Sequence, residues 1–256
     1  MMTPGFAKSR QELFWLPYPE PDRVIINAHN FTPATKGFGD ELLILRGATG
    51  VTDQSESGNN CSYIGSAFAE TQDGSLAFRF AGGSSGDAID TPFDNLLSNY
   101  FDRPFTIACW AKTNVATTTR QIICADFDAA GSAVSALLEL SGYEGVTSGF
   151  SGDALTNQTS FPAKTATITT QTWVLIGVEG YGGNHRCWLN GSAGTAVATA
   201  ELSASNSNCR FRIGLAGGLA TSNGWNGWID DFRLLDRQLT SQEWADWAAA
   251  GRGYNA

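Results

Sequence analysis

Acidic side chains are the groups in this 256-residue chain best placed to do chemistry, and they fall in a few tight clusters. Asp230-Asp231 sits inside the apolar run Gly227 to Leu235, and Asp53 opens a Ser/Gly-rich turn that ends at Asn59. Asp126-Phe127-Asp128-Ala129-Ala130-Gly131 is a third acidic turn, similar to part of a calcium loop but without the glutamate that would close an EF-hand. A retaining glycosidase needs its acid and nucleophile about 5 Å apart. Glu-x-Asp-x-Glu on one strand supplies that spacing, and neither this pattern nor its one-residue-longer variant occurs. Gly82-Gly83-Ser84-Ser85-Gly86 fits Gly-x-Ser-x-Gly, but a nucleophile elbow must run into a helix, and this segment reads as a turn between strands. The two histidines, His29 and His185, lack sequence partners for a triad or a multi-histidine metal site. What remains is recognition. Trp225-Asn226-Gly227-Trp228 and Tyr181-Gly182-Gly183-Asn184-His185 set aromatic rings beside amides, the composition that stacks a sugar and binds its hydroxyls. Trp225, Asn226, Tyr181 and Asn184 are therefore the candidate glycan residues. Trp225 and Tyr181 read equally as packing, and Trp228, in phase with Asp230, reads as core or rim.

These groups need strands to hold them. Alternation and turn residues predict strands over Glu41 to Leu45, Ser75 to Gly82, Pro104 to Lys112, Gln121 to Asp126, Ser135 to Leu140, Ala166 to Thr169, Thr172 to Glu179, Arg186 to Leu189, Arg210 to Gly214 and Gly227 to Leu235. Gly145 to Gly152 and Thr156 to Lys164 read as loops or weak edge strands. One helix closes the chain: Thr240 and Glu243 form a capping box, Leu239 can staple to Trp244, and Gly251 supplies the stop. Trp244, Trp247 and Ala248 share its inner face.

The order of these pieces resembles the laminin G-like, concanavalin A-like jelly-roll modules. Gln171-Thr172-Trp173, Arg186-Cys187-Trp188-Leu189-Asn190-Gly191, the Gly227 to Leu235 strand and Leu239-Thr240-Ser241-Gln242-Glu243 follow one another as in that family. Upstream, Ser75 to Gly82 with Ala88-Ile89-Asp90, and Pro104 to Lys112, are similar to its second and central strands, so the likeness spans roughly residues 40 to 250. The resemblance implies an all-β fold, an antiparallel jelly-roll β-sandwich with a short C-terminal helix. It also implies a candidate calcium site at the sandwich edge, with Asp53, Asp230 and Asp231 at matching positions. The competing reading makes Asp230-Asp231 structural, one acid capping backbone N–H groups and the other facing solvent.

Composition agrees independently. Twenty-nine glycines, eight tryptophans and 16% charged residues suit many strands joined by tight turns. A net charge of −9 argues against nucleic acid or an anionic membrane as partner. No apolar stretch reaches signal-peptide length or the roughly 20 residues of a bilayer span, so the expectation is a soluble chain not exported by the usual route. Five cysteines without a Cys-x-x-Cys pair read as small buried hydrophobes, with a Cys187–Cys209 bridge as the alternative.

Residues 1–39 differ from the rest and hold five of the eight prolines. Leu16-Pro17-Tyr18-Pro19-Glu20-Pro21 enforces an extended path that cannot join the middle of a sheet. Phe14, Trp15, Tyr18 and Ile25 make this arm too apolar for an idle linker, so it needs a surface, either its own sandwich or a neighbouring subunit. The domain division is an arm over 1–39 and a jelly roll over 40–256. The expected function is non-catalytic: a structural subunit of a homo-oligomeric assembly, in the form of a bacteriophage virion protein, located in the virion and assembled in the host cytoplasm. The alternative is a free carbohydrate-binding, calcium-dependent module, located outside the cell.

Overall fold

The computed structural model describes residues 41–55, 57–83, 86–94, 104–115, 121–128, 134–141, 145–150, 171–181, 184–198, 209–215 and 224–252. The strands are β1 Glu41–Leu45, β2 Ser62–Ile64, β3 Phe68–Gln72, β4 Ser75–Gly83, β5 Ala88–Asp94, β6 Phe105–Thr113, β7 Gln121–Asp128, β8 Val134–Ser141, β9 Gly145–Phe150, β10 Trp173–Tyr181, β11 Asn184–Leu189, β12 Ser192–Ala193, β13 Val197–Ala198, β14 Cys209–Ile213 and β15 Gly224–Leu235. A helix, α1, covers Ser241–Ala250. The jelly-roll β-sandwich expected from the sequence is the fold. No helix among the described residues is long and apolar enough to cross a membrane.

One layer runs β12-β11-β10-β6-β15, with β4 and β1 sharing the far edge of β15 and β3 outside β4. The other runs β2-β5-β14-β7-β8-β9. Neighbours are antiparallel, except for a single parallel contact of Gly224 with Ile122 that joins the layers. Between them lies the main core, where Phe78, Ile107, Ile176, Trp225 and Phe232 meet Ile89, Ile123 and Phe211. Every residue of β6 is buried: the second layer covers one face, α1 packs on Ala108 and Trp110 of the other, and Lys112 lies against Trp228 and Asp73. That explains why Phe105-Thr106-Ile107-Ala108-Cys109-Trp110 reads as a nearly continuous apolar run.

The helix makes a second core on the outer face. Trp244 and Trp247 pack with Ala108, Trp110, Leu175 and Trp188, and the Trp188 and Trp244 rings stack at 4.9 Å. Gly177 makes the approach possible, since a Cβ there would stand 2.4 Å from the Trp244 ring. The capping box forms as the sequence predicts: Thr240 Oγ1 accepts from the Glu243 N–H at 3.2 Å and Glu243 Oε2 accepts from the Thr240 N–H at 2.5 Å. Such a cap stabilises a helix by about 1 kcal/mol.

One expectation is corrected: β7 continues through Asp128, so Asp126 to Asp128 are strand and not turn. Of the two readings for Gly145 to Gly152, loop or weak edge strand, the structure takes the second, with Gly145–Phe150 paired to β8 at the sheet edge. The strand expected over Ala166 to Thr169, and the arm residues Phe14, Trp15, Tyr18 and Ile25, lie outside the described residues.

Candidate functional site

Helix α1 covers only part of the outer face, and the remainder carries an ordered row of side chains. Register pairs Phe68 with Arg79, Arg79 with Trp228, Trp228 with Lys112, and Lys112 with Trp173, across β3, β4, β15, β6 and β10. Directly opposed residues share a face, so apolar rings alternate with cations across five strands. The Arg79 guanidinium lies 5.0 Å and the Lys112 ammonium 5.5 Å from the Trp228 ring centroid. Two acids tie the row together. Glu70 accepts from Trp228 Nε1 at 2.5 Å and pairs with Arg79 at 3.8 Å. Asp73 accepts from Trp173 Nε1 and from Lys112 Nζ, both at 2.8 Å, and these bonds hold its carboxyl below the ordinary value. Phe68 is 48% exposed, whereas Trp228 is 8% exposed.

Amides border the row at the same end of the sheet. Asn226 alternates in phase with Trp228, its N–H donates to Gln121 Oε1 at 3.0 Å, and its carbonyl accepts from the Asn114 N–H at 2.9 Å. Gln171 Nε2 donates to Asn114 Oδ1. Asn226 Oδ1 is buried with no hydrogen-bond donor among the described residues. Aromatic faces, amides and paired charges thus occupy one surface.

The same Trp–carboxylate–base unit recurs beneath the helix. Glu179 binds Trp244 Nε1 at 3.1 Å and Arg186 at 2.5 Å. Asp231 binds Trp247 Nε1 at 3.2 Å and Arg233 at 3.0 and 3.1 Å, with Arg46 at 3.4 Å. Burial pulls Asp231 upward, but Arg233 and Arg46 outweigh it and hold the carboxyl below the ordinary range. Asp230 behaves oppositely. Burial, with the Asp231 charge alongside, pushes it up to about 6 despite hydrogen bonds from the Gly47 and Asp231 N–H groups and the nearby Arg252 cation.

Stability follows with a definite sign. A carboxyl at about 6 in the fold and 3.8 unfolded takes up its proton first in the folded state. Its contribution therefore grows as pH falls through 6, by on the order of 2–3 kcal/mol at full effect. Asp231, Asp90 and Glu243 are held low, so their stabilisation is lost only in more acidic solution. Urea unfolding midpoints are expected to be higher at pH 5 than at pH 7.5. Asp230→Asn, which keeps an acceptor for Gly47, should flatten that rise; an equal slope in the variant would refute the assignment.

The calcium set is not assembled. Asp53 Oδ1 accepts from the Ile44 and Ser55 N–H groups at 3.0 and 2.8 Å, and Oδ2 from Ser55 Oγ and the Asn59 N–H at 2.7 and 2.6 Å. Asp53 is thus the organiser of its own turn, while Asp230 and Asp231 serve backbone N–H groups and arginines. Among the described residues no group of three or more His, Cys, Asp or Glu side chains could hold a metal ion. Asp231 does not face solvent either, being 5% exposed.

The expected glycan residues separate. Trp225 is fully buried in the main core, with Nε1 donating to the Trp228 carbonyl at 3.3 Å, so it offers no ring to a sugar. Tyr181 and Asn184 pair at the far end of β10 and β11, about 26 Å along the strand from Trp173 at 3.3 Å per residue. Asn184 is exposed, and the Tyr181 side chain lies outside the described ones. Asn226 alone stands beside the aromatic row. Phe68, Glu70, Asp73, Arg79, Lys112 and Trp173 were missed; Lys112 beside Trp110 on an apolar strand was the available signal. Cys109, Cys124 and Cys187 are thiols buried in the main core.

Comparison with known proteins places the fold. Domain 4 of the extracellular arabinanase AbnA from Geobacillus stearothermophilus, in complex with arabinotriose, superposes with a TM-score of 0.62 at 15% identity, over 82% of this chain and 99% of that one. A structure of botulinum neurotoxin type C, whose route into cells depends on two ganglioside molecules, gives 0.60 at 15% identity over 83% of this chain and 51% of that one. A mutant Trypanosoma rangeli sialidase displaying trans-sialidase activity gives 0.60 at 11% identity, over 82% and 32%. The chain thus spans about half of the matched toxin chain and a third of the matched sialidase chain. A search of curated proteins found no match. The family model described as the concanavalin A-like lectin/glucanases superfamily matches residues 81–244, more than half of the sequence, and the chain belongs to that superfamily.

Proposed function

We propose that this chain is a non-catalytic carbohydrate-binding module, that its contact surface is the uncovered end of the helix-bearing face, and that its ligand is an uncharged oligosaccharide. The observation that carries the reading is the row Phe68–Arg79–Trp228–Lys112–Trp173, with Asn226, Asn114 and Gln171 at its border. Rings stack on the apolar faces of sugars, and amides take up their hydroxyls. Each cation of the row has an acid beside it, Glu70 for Arg79 and Asp73 for Lys112, so an acidic sugar gains no unbalanced charge. The arabinotriose held by the arabinanase domain is of the same uncharged class. A non-catalytic role fits the two described carboxylates that burial raises: Asp230 and Glu41 have side chains 5% and 11% exposed and stand beside arginines. A role in an assembly, of the virion kind expected above, draws on the apolar arm over residues 1–39, on the expectation of a chain not exported by the usual route and on the family resemblance.

A panel of neutral and acidic oligosaccharides, followed by calorimetry of the best ligand, tests the reading. Neutral ligands are expected, with little dependence on salt. Phe68→Ala and Trp173→Ala should each weaken binding about tenfold, or about 1.4 kcal/mol. Silence across the whole panel would sink the carbohydrate reading, and binding confined to acidic sugars would sink its neutral-ligand part.

A further inference from the structure

One ring of the row is covered by the chain itself. Trp173 lies at the start of β10, and the Arg252 guanidinium sits 4.1 Å from its ring centroid. Arg252 is the second residue after α1, beyond Gly251, where φ is +79° and an added Cβ would meet nothing within 4 Å. Gly251 therefore brings Arg252 back over the sheet through a residue with room to move.

Among the described residues Arg252 has two polar attachments. Arg252 Nη2 donates to the Gln72 carbonyl. Nη1 stands 3.5 Å from Asp230 Oδ2, a long ion pair, and finds no hydrogen-bond acceptor among the described residues although it is buried. Burial disfavours the charge on both members, pushing Arg252 down and Asp230 up. The adjacent pair is a built-in contrast. Arg233 reaches Asp231 through two bonds of 3.0 and 3.1 Å, and that carboxyl is held low. One arginine is locked to its acid by two bonds, whereas the other meets its acid through a single contact of 3.5 Å and lies against an indole face.

We propose that Arg252 is a displaceable cover of Trp173: its planar guanidinium occupies the stacking face that a sugar ring takes, and ligand binding swings Arg252 aside about Gly251. This rests on the carbohydrate reading of the same face. A guanidinium suits the part because it stacks flat on an indole as a sugar does, while its charge draws it toward Asp230 and Asp73 when no ligand is present.

The test uses the full chain with Arg252→Ala and Arg252→Lys, and two readouts. Hydroxyl-radical footprinting reads Trp173 without any ligand, and calorimetry with the best neutral oligosaccharide reads competition. Both variants are expected to oxidise Trp173 faster, and Arg252→Ala to bind the sugar about three- to thirtyfold more tightly, the range of a cation–π contact. Arg252→Lys keeps the charge without the flat stack, so it decides the matter if the alanine variant is unstable. Unchanged Trp173 oxidation in a folded variant would overturn the cover. Faster oxidation with unchanged or weaker sugar binding would overturn its competition with ligand. If neither wild type nor variant binds any sugar, the carbohydrate reading fails, and the footprint still decides whether Arg252 covers the ring.

Discussion

Asp231→Ala is expected to lower the unfolding free energy by about 3–5 kcal/mol, the usual cost of removing one partner from a buried ion pair. The carboxylate takes Arg233 through two bonds, Arg46 and the Trp247 indole, so the change strips one acceptor from both β1 and α1. Arg233 is left, 3% exposed, with Glu41 at 3.6 Å. Asp231 also holds φ at +45°, a conformation that Asp and Asn tolerate better than Ala. Asp231→Asn separates the two causes, since it keeps the backbone preference and loses the charge, and should recover part of the deficit. In melting temperature the alanine variant should fall by roughly 6–20 °C. A fall below about 1 kcal/mol would mean that the network is not holding the helix to the sheet.

Gly227→Ala should cost a comparable amount and should damage the proposed site directly. A Cβ at Gly227 would lie 2.0 Å from the Lys112 carbonyl oxygen, at φ +151°, where side chains are rarely accommodated. The obstacle is backbone and cannot rotate away. β15 would have to leave β6 where Trp228 faces Lys112. Overpacking alone costs about 1–3 kcal/mol, and the backbone strain adds to it. Urea unfolding measures the loss, and indole fluorescence should shift as Trp228 loses its place between Arg79 and Lys112. A stable variant with an unchanged spectrum would show that this contact is not as tight as drawn.

Much of the fold was legible because its signals are local. Thr240 and Glu243 marked the helix start, and Trp244 and Trp247 its buried face. Alternation found β6, β10 and β14 within one or two residues. The site was less legible, for two physical reasons. β15 begins at Gly224, three residues before the Gly227 start read from sequence, and this turns Trp225 from a loop platform into a core residue. A bulge at Asp231 then shifts the register between Asp230 and Arg233, so neighbouring acids both serve the outer face while Phe232 and Leu234 stay inside. The rest is pairing over distance. Trp173 and Asp73 meet across 100 residues, and Trp228 and Glu70 across 158, and nothing in their own neighbourhoods announces it.

The central claim is that the row on the helix-bearing face is where sugar binds. Indole N–H signals of the tryptophan-labelled protein, followed by NMR during titration with the best neutral oligosaccharide, test it most directly. Trp173 and Trp228 should shift with the same saturation curve while Trp225, enclosed in the main core, stays still. Binding that moves neither Trp173 nor Trp228, or that is unaffected by Phe68→Ala and Trp173→Ala, would place the sugar elsewhere and contradict the account.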